Sequence, residues 1–313
     1  PGILAIGREQ VIERLGQRNL QTETMIPWHI ENKLHHGWQD WFARLIEGSS
    51  RKINSDFRPL GLFYSISHWN ALFAPSLRGV FNALETLSLK AIWLSSAFLL
   101  LGYFILKRLK ADLAGAGVPL SIMATGFAGM IFNLMILFTF QSIYGYVFAW
   151  IGVLVAAFMA GTAAGATLMT INLNRIRHAV RLFLKIDLLI IGFAVACPFI
   201  FHTAHANLNV EGFFMAFRIL FLVIAFAGGF LIGAQFPLAN KIYLETSARL
   251  SRTAGLLYAA DLLGGWLGGI FGAVVLLPVL GLAGTGVTVA AFKLAGAAVL
   301  TDQFLRPSRR GPR

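Results

Sequence analysis

The stretch FFMAFRILFLVIAFAGGFLIGAQFP, residues 213–237, decides the fold of this chain because its 25 residues include a single charged side chain, Arg218. A helix needs about 20 mostly apolar residues to cross the hydrocarbon core of a bilayer. Six further runs have the same character, namely residues 89–106, 119–140, 143–169, 182–201, 254–280 and 284–304. The sequence therefore predicts an all-α integral membrane bundle of six to seven transmembrane helices.

The composition of the 313 residues agrees with this prediction. Hydrophobic residues make up 57% of the chain and charged residues 13%, about half of the roughly 25% that is usual in soluble domains. Residues 1–90 hold 18 of the 40 charged side chains. We therefore expect a small polar domain over residues 1–88, a transmembrane helical domain over 89–305 and a basic tail over 306–313.

The segments between the apolar runs alternate between basic segments and segments without Lys or Arg. Thirteen Lys and Arg lie in 107–118, 170–181, 239–253 and the tail, and none lies in 141–145, 202–212 or 278–286. Basic loops stay in the cytoplasm, so we expect a multi-pass protein of a prokaryotic cytoplasmic membrane with a cytoplasmic C-terminus. The net charge of +12 is then explained by topology and anionic lipid. The expected partner is the lipid bilayer, not nucleic acid.

The side of the membrane on which residues 1–88 lie stays open at this stage. An odd number of spans would place them on the outer face. Alternatively, the shortest run, 89–106, is a re-entrant or interfacial helix, in which case these residues lie on the cytoplasmic side. The loop charges decide the orientation of the last six runs only.

Small residues recur at helical spacing in two of the runs. These residues are Gly161, Gly165, Gly264, Gly265, Gly268 and Gly272. Such rows allow helix backbones to approach closely, which promotes helix association in lipid. We therefore expect these glycines to lie at helix contacts, with a substrate path between flexible helices as the alternative.

Charged residues inside the spans are costly and therefore indicate pairs or functional sites. Asp261 and Lys293 lie deepest, at similar levels of consecutive helices. We predict an ion pair between them, either direct or bridged by water, with Tyr258 as a hydrogen-bond donor. Such a pair fixes the register of the helices or, alternatively, Asp261 binds a substrate amine or a proton. Asp187 is expected to reach the basic loop or water. Lys185 and Arg218 are close enough to helix ends to extend toward the lipid head groups.

The sequence indicates no catalytic site, no metal site and no cofactor. His35-His36 and the pair His202 and His205 lack further ligands at metal-binding spacing. The single cysteine, Cys197, excludes a disulfide within the chain. In the polar domain, residues 3–6 form a strand-like run, and apolar residues at three- and four-residue steps from Pro27 predict an amphipathic helix.

Several motifs resemble those of one known family. In the polar domain they are INSDFRPL at 53–60, Phe63-Tyr64 and HWNALFAP at 68–75. In the membrane domain they are GFAG at 126–129, AGTAAG at 160–165, GAQFPL at 233–238 and GLLYAADLLGG at 255–265. The chain thereby resembles the C-terminal part of membrane-integrated spermidine synthase-like proteins, also described as major-facilitator/spermidine-synthase fusions.

The resemblance implies that residues 1–88 are a small α/β remnant of an aminopropyltransferase-like domain. It also implies that the nucleoside-binding turn and the catalytic Asp of that domain lie upstream of Pro1. Aminopropyl transfer requires a nucleoside pocket and a carboxylate that accepts a proton, and the chain supplies neither. We therefore expect the chain to be non-catalytic by itself.

Three functions remain as expectations. The first is a membrane anchor or partner for an upstream aminopropyltransferase-like domain or another membrane chain. The second is a transporter of a small amine or metabolite, which would need an upstream half or an oligomer. The third is a structural subunit of a larger membrane complex.

Overall fold

The computed structural model describes residues 8–20, 26–33, 36–47, 53–108, 116–145, 148–206, 213–244 and 250–305. These residues are almost entirely helical, and the only β feature among them is an isolated antiparallel bridge between Ser55 and Arg58. The strand-like run 3–6 lies outside the described residues, so the α/β character of the polar domain stays a prediction. The chain divides into two compact units, Pro1–Ile53 and Asn54–Arg313.

The first unit contains three short helices in its described residues. They are α1 (Arg8–Gln17), α2 (Pro27–Lys33) and α3 (His36–Glu47). In the described residues, the amphipathic helix predicted from Pro27 corresponds to α2 and α3. Ile30 is buried, whereas Trp38 and Trp41 on α3 are exposed and form an edge-to-face pair with ring centroids 5.6 Å apart.

The second unit contains nine α-helices in its described residues. They are α4 (Leu60–Phe73), α5 (Arg78–Glu85), α6 (Leu89–Arg108), α7 (Gly117–Tyr144), α8 (Phe148–Asn172), α9 (Ala179–Ala206), α10 (Phe213–Leu244), α11 (Leu250–Phe271) and α12 (Gly281–Leu305). A π-helical segment, Gly272–Leu280, joins α11 to α12. In the described residues, all seven apolar runs are helical apart from Gly145, where α7 ends.

Five continuous helical stretches are long and apolar enough to cross a membrane. They are Gly117–Tyr144, Phe148–Arg175, Ala179–Ala206, Met215–Leu244 and Ala254–Phe304. A sixth candidate is the pair Pro75–Glu85 and Leu89–Ile105, which is bent by 96°. The described residues thus have the helices of a multi-pass membrane protein.

The 51-residue stretch Ala254–Phe304 packs as two antiparallel arms. At 1.5 Å per residue it would be about 76 Å long, more than twice the thickness of a hydrocarbon core. On α11, Gly264 lies against Met123 and Gly268 against Phe127, so α11 runs parallel to α7. On α12, Phe292 lies against Phe127 and Gly296 against Ser121, so α12 runs antiparallel to α7. The chain turns back at Gly281, whose φ of +72° is readily adopted by glycine.

Helices α7 to α12 alternate in direction and define two ends of the bundle. The basic end is where α7, α9 and α11 begin, and the opposite end carries Gly145, Ala206 and Gly281. Helix α6 runs parallel to α12, because Leu89 lies beside Gly284, while Leu100 and Tyr103 lie near Val299. Helix α6 therefore begins at the same end of the bundle as α12 and runs toward the basic end.

The polar segment before α4 is attached to the opposite end of the bundle. The Leu282 amide donates a 2.9 Å hydrogen bond to the Phe57 carbonyl, and Arg58 Nε donates one of 2.8 Å to the Val279 carbonyl. Phe63 and Phe81, from α4 and α5, are buried with Val279 in a small apolar cluster. These contacts place residues 54–85 at the end that lies away from the basic segments.

The six helices form two inverted repeats, α7–α9 and α10–α12. Residues that correspond lie 103 positions apart, and the backbone contacts obey this correspondence. A methyl group at Gly126 would overlap the Asp261 carbonyl, and one at Gly229 would overlap the Phe158 carbonyl. Gly229 corresponds to Gly126, and Asp261 corresponds to Phe158. Each repeat contains three helices that alternate in direction, so the second repeat begins at the end of the bundle opposite to the first and is inverted relative to it. Many transporter folds have this arrangement.

Candidate functional site

Glycines bring the two repeats into close backbone contact. Gly161 lies against the Phe226 carbonyl and Gly165 against the Phe230 carbonyl, so α8 packs closely on α10. The corresponding pair, Gly264 and Gly268, lies against Met123 and Phe127 on α7. At these four of the six glycines identified in the sequence, a side chain would displace the neighbouring helix.

The remaining two glycines differ from each other. Gly272 lies against Ile131 and Leu134, where a methyl group would come within 2.6 and 2.9 Å of their side-chain carbons. At Gly265 the nearest neighbouring atom is the Gly126 carbonyl oxygen, 3.8 Å from where a Cβ would lie. Gly265 therefore has room for a side chain, unlike the other five.

Four helices bring polar side chains together at the interface between the repeats. We call this set the polar cluster: Thr125 on α7, Asp187 on α9, Gln235 on α10 and Lys293 on α12. All four are buried, with exposed fractions of 0 to 2%. Asp187 lies eight residues from the start of α9, or ~12 Å, so the cluster is close to the middle of a ~30 Å core.

Lys293 is fully hydrogen-bonded within the polar cluster. Its ammonium lies 2.5 Å from Asp187 Oδ1 and donates hydrogen bonds of 2.9 Å to Gln235 Oε1 and to Thr125 Oγ1. An ammonium has three donors, so no donor of Lys293 is left over. The ring of Phe183, whose centroid is 5.9 Å from Nζ, covers a further side.

The carboxylate of Asp187 is only half satisfied. Gln235 Nε2 donates a 2.7 Å hydrogen bond to Oδ1, the oxygen that also contacts Lys293. Oδ2 is buried and has no hydrogen-bond partner among the described residues, and the same holds for the hydroxyl of Ser121, one turn before Thr125. The spare hydrogen-bonding capacity of the carboxylate is therefore that of an acceptor.

The polar cluster breaks the correspondence between the repeats. The residues that correspond to Thr125, Asp187, Gln235 and Lys293 are Gly228, Ala290, Phe132 and Ile190. None of these four side chains can donate or accept a hydrogen bond. The polar cluster thus has no polar counterpart at the corresponding positions of the two repeats.

The predicted direct ion pair between Lys293 and Asp261 is absent from the described residues. The structure pairs Lys293 with Asp187 and not with Asp261, because α11 and α12 each pack on α7, and Asp261 lies against Gly126 on that helix. Asp261 remains close enough to Lys293 for an electrostatic interaction. Tyr258 is 58% exposed, and no hydrogen bond joins it to Asp261.

The other charges inside the spans also have defined surroundings. Asp187 was expected to reach the basic loop or water, which is wrong because the residue is fully buried. Lys185 is exposed on the surface of α9. The guanidinium of Arg218 lies over the rings of Tyr144 and Trp150, 5.2 and 5.3 Å from their centroids, so aromatic contacts surround it.

An apolar cleft of about 280 Å³ lies between α6 and α11 and has α7 and α12 as its floor. Leu100, Tyr103 and Leu267 are among its lining residues. Phe127 and Phe292 also line it and pack against each other with ring centroids 5.0 Å apart. Because Phe292 precedes Lys293, the floor of the cleft is adjacent to the polar cluster.

Histidines and acidic residues do not form a metal site in the part of the chain that the structure describes, where no three potential ligands converge. His205 Nε2 lies 3.6 Å from Asp56 Oδ2, and Phe57 packs against both His202 and His205. His35 lies outside the described residues.

Gln235 and Thr125 are the members of the polar cluster that sequence reasoning missed. Both belong to motifs that were noticed for another reason, since Gln235 lies in GAQFPL and Thr125 directly precedes GFAG. Their amide and hydroxyl carry no charge, so a search for charged residues inside the spans does not find them.

No protein-family model, curated protein or solved structure matches this chain.

Proposed function

We propose that the second unit is a carrier-type membrane domain that binds a small polar solute, such as an amine or another metabolite, at the polar cluster and moves it across the bilayer. The observation that carries this proposal is the position of a buried Lys293–Asp187 pair between inverted repeats near the middle of the bundle. Carriers built from inverted repeats bind their substrates and coupling ions at this place.

The energetics of the polar cluster support a functional role. Desolvating two charges costs several kcal/mol per ion, and an apolar pair of similar volume is often equally stable or more stable. Helix register alone is already determined by the glycine contacts of α8 and α11. A buried pair that leaves a carboxylate oxygen without a partner is therefore better explained by ligand binding than by packing.

Solute uptake into proteoliposomes tests the proposal. The full chain would be reconstituted and supplied with radiolabelled putrescine as the amine probe and radiolabelled alanine as a second small metabolite. We expect uptake of at least one probe above that of empty liposomes, and an approximately tenfold or greater loss in Lys293→Met. Lys185→Met is the matched control, because Lys185 is exposed on α9.

Uptake that is equal in Lys293→Met and Lys185→Met would contradict the proposed site. Uptake of neither probe by the wild-type chain would contradict the carrier function for these two solutes. A thermal-shift measurement in nanodiscs with the same probes gives a second readout, because a ligand that binds only the folded state raises the melting temperature.

A second function is favoured by the attachment of residues 54–85 to the bundle. The stretch that resembles the end of an aminopropyltransferase domain includes Phe57 and Arg58, which hydrogen-bond to Leu282 and Val279. We propose that the chain is the non-catalytic membrane part of a spermidine-synthase-like protein and anchors an upstream domain at this end. The α/β remnant over residues 1–88 belongs to the same proposal.

An activity assay tests the second proposal. Purified chain incubated with decarboxylated S-adenosylmethionine and putrescine should form no spermidine, because it supplies neither a nucleoside pocket nor a base. Turnover that a mutation within residues 1–88 abolishes would contradict the proposal. Co-purification of a separately expressed aminopropyltransferase-like domain, lost when the contacts of Phe57 and Arg58 are removed, would support it.

A further inference from the structure

The charged groups at the level of the polar cluster do not balance one another. Lys293 is paired with Asp187, and Asp261 interacts electrostatically with the same ammonium from α11. Asp261 lies at this level because its carboxylate is against Gly126, the residue that follows Thr125. With one ammonium and two carboxylates, the three interacting groups carry a net charge of −1. A net charge is costly inside a bilayer, so a cation is needed to complete the site.

Asp261 is the carboxylate that is available to this cation. The carboxylate of Asp187 is fully buried and already contacts the ammonium of Lys293. Asp261 is only half-buried, and it accepts no hydrogen bond from the described residues. An ionised carboxylate is an acceptor only. The group that binds Asp261 must therefore be positively charged and must donate hydrogen bonds.

The surroundings of Asp261 favour an ammonium group over a metal ion. Hard metal ions bind several oxygen atoms at once, and no three potential metal ligands converge in the part of the chain that the structure describes. An ammonium is held well by a single carboxylate, because a hydrogen bond between two charged groups is short and strong. An organic amine in its protonated form meets these conditions.

Space for the carbon skeleton of such an amine lies one turn after Asp261. Residues four apart on a helix are neighbours on one face, so Gly265 is beside Asp261 on the surface of α11. The nearest atom is 3.8 Å from the point where a Cβ of Gly265 would lie. The surface next to the carboxylate therefore carries no side chain at this position.

We propose that Asp261 binds the ammonium group of a small organic amine, and that Gly265 leaves room for the carbon skeleton of this ligand. This inference rests on the proposed function and names the class of solute and the carboxylate that binds it. The bound ammonium donates hydrogen bonds to Asp261 and brings the net charge of the site to zero. The enclosed Lys293–Asp187 pair stays intact.

Equilibrium binding of radiolabelled propylamine tests the proposal. The full chain would be placed in phosphatidylcholine nanodiscs, which offer no primary ammonium, at a mildly alkaline pH at which carboxyl groups are ionised. We expect saturable binding by the wild type and an approximately tenfold or greater loss in Asp261→Asn, because a charge-assisted hydrogen bond is removed. Asp56→Asn is the control, since the Asp56 side chain is 67% exposed.

A second variant keeps the carboxylate and removes the space beside it. Gly265→Leu should lose propylamine binding, because its side chain occupies the proposed position of the carbon skeleton. Gly255→Leu on the same helix is the matched control, since no atom lies within 4 Å of the point where its Cβ would be. Binding that persists in Gly265→Leu overturns the proposal even if Asp261→Asn does not fold.

Competition identifies the chemistry of the ligand. Unlabelled propylamine should displace the labelled probe, whereas propanol, which lacks the charge, should not. Displacement by Na⁺ at the same concentration would show that the site takes a metal ion and would overturn the proposal. Nanodiscs that contain phosphatidylethanolamine should bind as much propylamine as before. A loss of binding there would show that a lipid head group, and not a free amine, occupies the site.

Melting temperatures separate a ligand site from a structural carboxylate. Without propylamine, Asp261→Asn should melt at or above the wild-type temperature, because it removes the excess negative charge and leaves the Lys293–Asp187 pair in place. Propylamine should raise the melting temperature of the wild type only. A lower melting temperature in Asp261→Asn together with unchanged propylamine binding would overturn the proposal.

The outcomes for the proposed function and for the amine site are separable. Propylamine binding that depends on Asp261, without uptake of any solute, contradicts only the carrier function. Uptake that depends on Lys293 but is unchanged in Asp261→Asn contradicts only the amine site.

Discussion

At the scale of single residues, Lys293 dominates the energetics of the second unit. Its ammonium is paired with Asp187 and lies in an environment of low dielectric constant, where an unpaired charge costs several kcal/mol. The pair itself does not need to be stabilising, because the attraction between the two charges is offset by their desolvation. The consequence is an asymmetry between single and double substitutions.

We expect Lys293→Met alone to destabilise the folded protein by about 3–5 kcal/mol, because it leaves the Asp187 carboxylate buried without a cation. The double variant Asp187→Asn/Lys293→Met should be more stable than Lys293→Met alone. Thermal denaturation in detergent or nanodiscs measures both. Lys185→Met should stay close to wild type, and equal losses in the single and double variants would contradict the prediction.

At the scale of helices, glycines determine how closely the repeats approach. Gly161 on α8 and Gly264 on α11 lie at corresponding positions, and each faces a backbone carbonyl of the other repeat. In lipid, close packing of this kind contributes to association because burial from water no longer does. A methyl group at such a position must displace the partner helix.

Gly161→Ala should therefore destabilise the protein by about 1–3 kcal/mol, which is typical of overpacking. Gly265→Ala is the matched control, because the nearest atom lies 3.8 Å from the point where its Cβ would be and a helical Ala is preferred to Gly. Melting temperatures in nanodiscs should fall for the first variant only. If both variants melt at the wild-type temperature, α8 does not depend on close contact with α10.

The polar segment before α4 is attached to the bundle at the end of the π-helical segment between α11 and α12. Arg58 donates to the Val279 carbonyl within the π-helical segment that leads to Gly281. Arg58→Met should cost about 1–3 kcal/mol locally and expose residues 53–59 to protease, because a buried acceptor loses its donor. Arg78→Met serves as the control, since Arg78 is exposed. Unchanged cleavage in Arg58→Met would show that this hydrogen bond does not hold the segment.

At the scale of the whole molecule, the alternating helices and the basic segments define the orientation. Arg175 lies at the basic end of the bundle, whereas Ala206 lies at the opposite end, to which the segment 54–85 that contains Ser76 is attached. Basic segments stay in the cytoplasm, so the C-terminal tail should be cytoplasmic and residues 54–88 should lie outside. This arrangement requires α6 to cross the membrane.

Cysteine labelling in intact cells tests the orientation, in a Cys197→Ala background that removes the one buried thiol. A membrane-impermeant maleimide should label Ala206→Cys and Ser76→Cys from outside and Arg175→Cys only after permeabilisation. Labelling of Ser76→Cys and Arg175→Cys from the same side would show that α6 does not cross. Labelling of Ala206→Cys only after permeabilisation would invert the whole assignment.

The sequence by itself determined the helices of the membrane domain. A spanning helix satisfies all its backbone hydrogen bonds internally, so a run of about 20 apolar residues specifies it without reference to any neighbour. The apolar runs around Gly129, Gly161 and Gly229 are therefore visible as helices in the sequence. The same reasoning identified Lys293 as a residue that needs a partner, because the cost of a charge in hydrocarbon is a local property.

Only the tertiary structure decided which helices meet. Consecutive helices need not be the closest neighbours, and α7 lies against both α11 and α12, so Lys293 pairs with Asp187 and not with Asp261. The inverted repeats were equally hidden, because few residues 103 positions apart are identical and the correspondence lies in backbone contacts. In a bilayer, every helix surface is apolar, so periodicity does not indicate which face is buried, and close packing between particular glycines makes that choice.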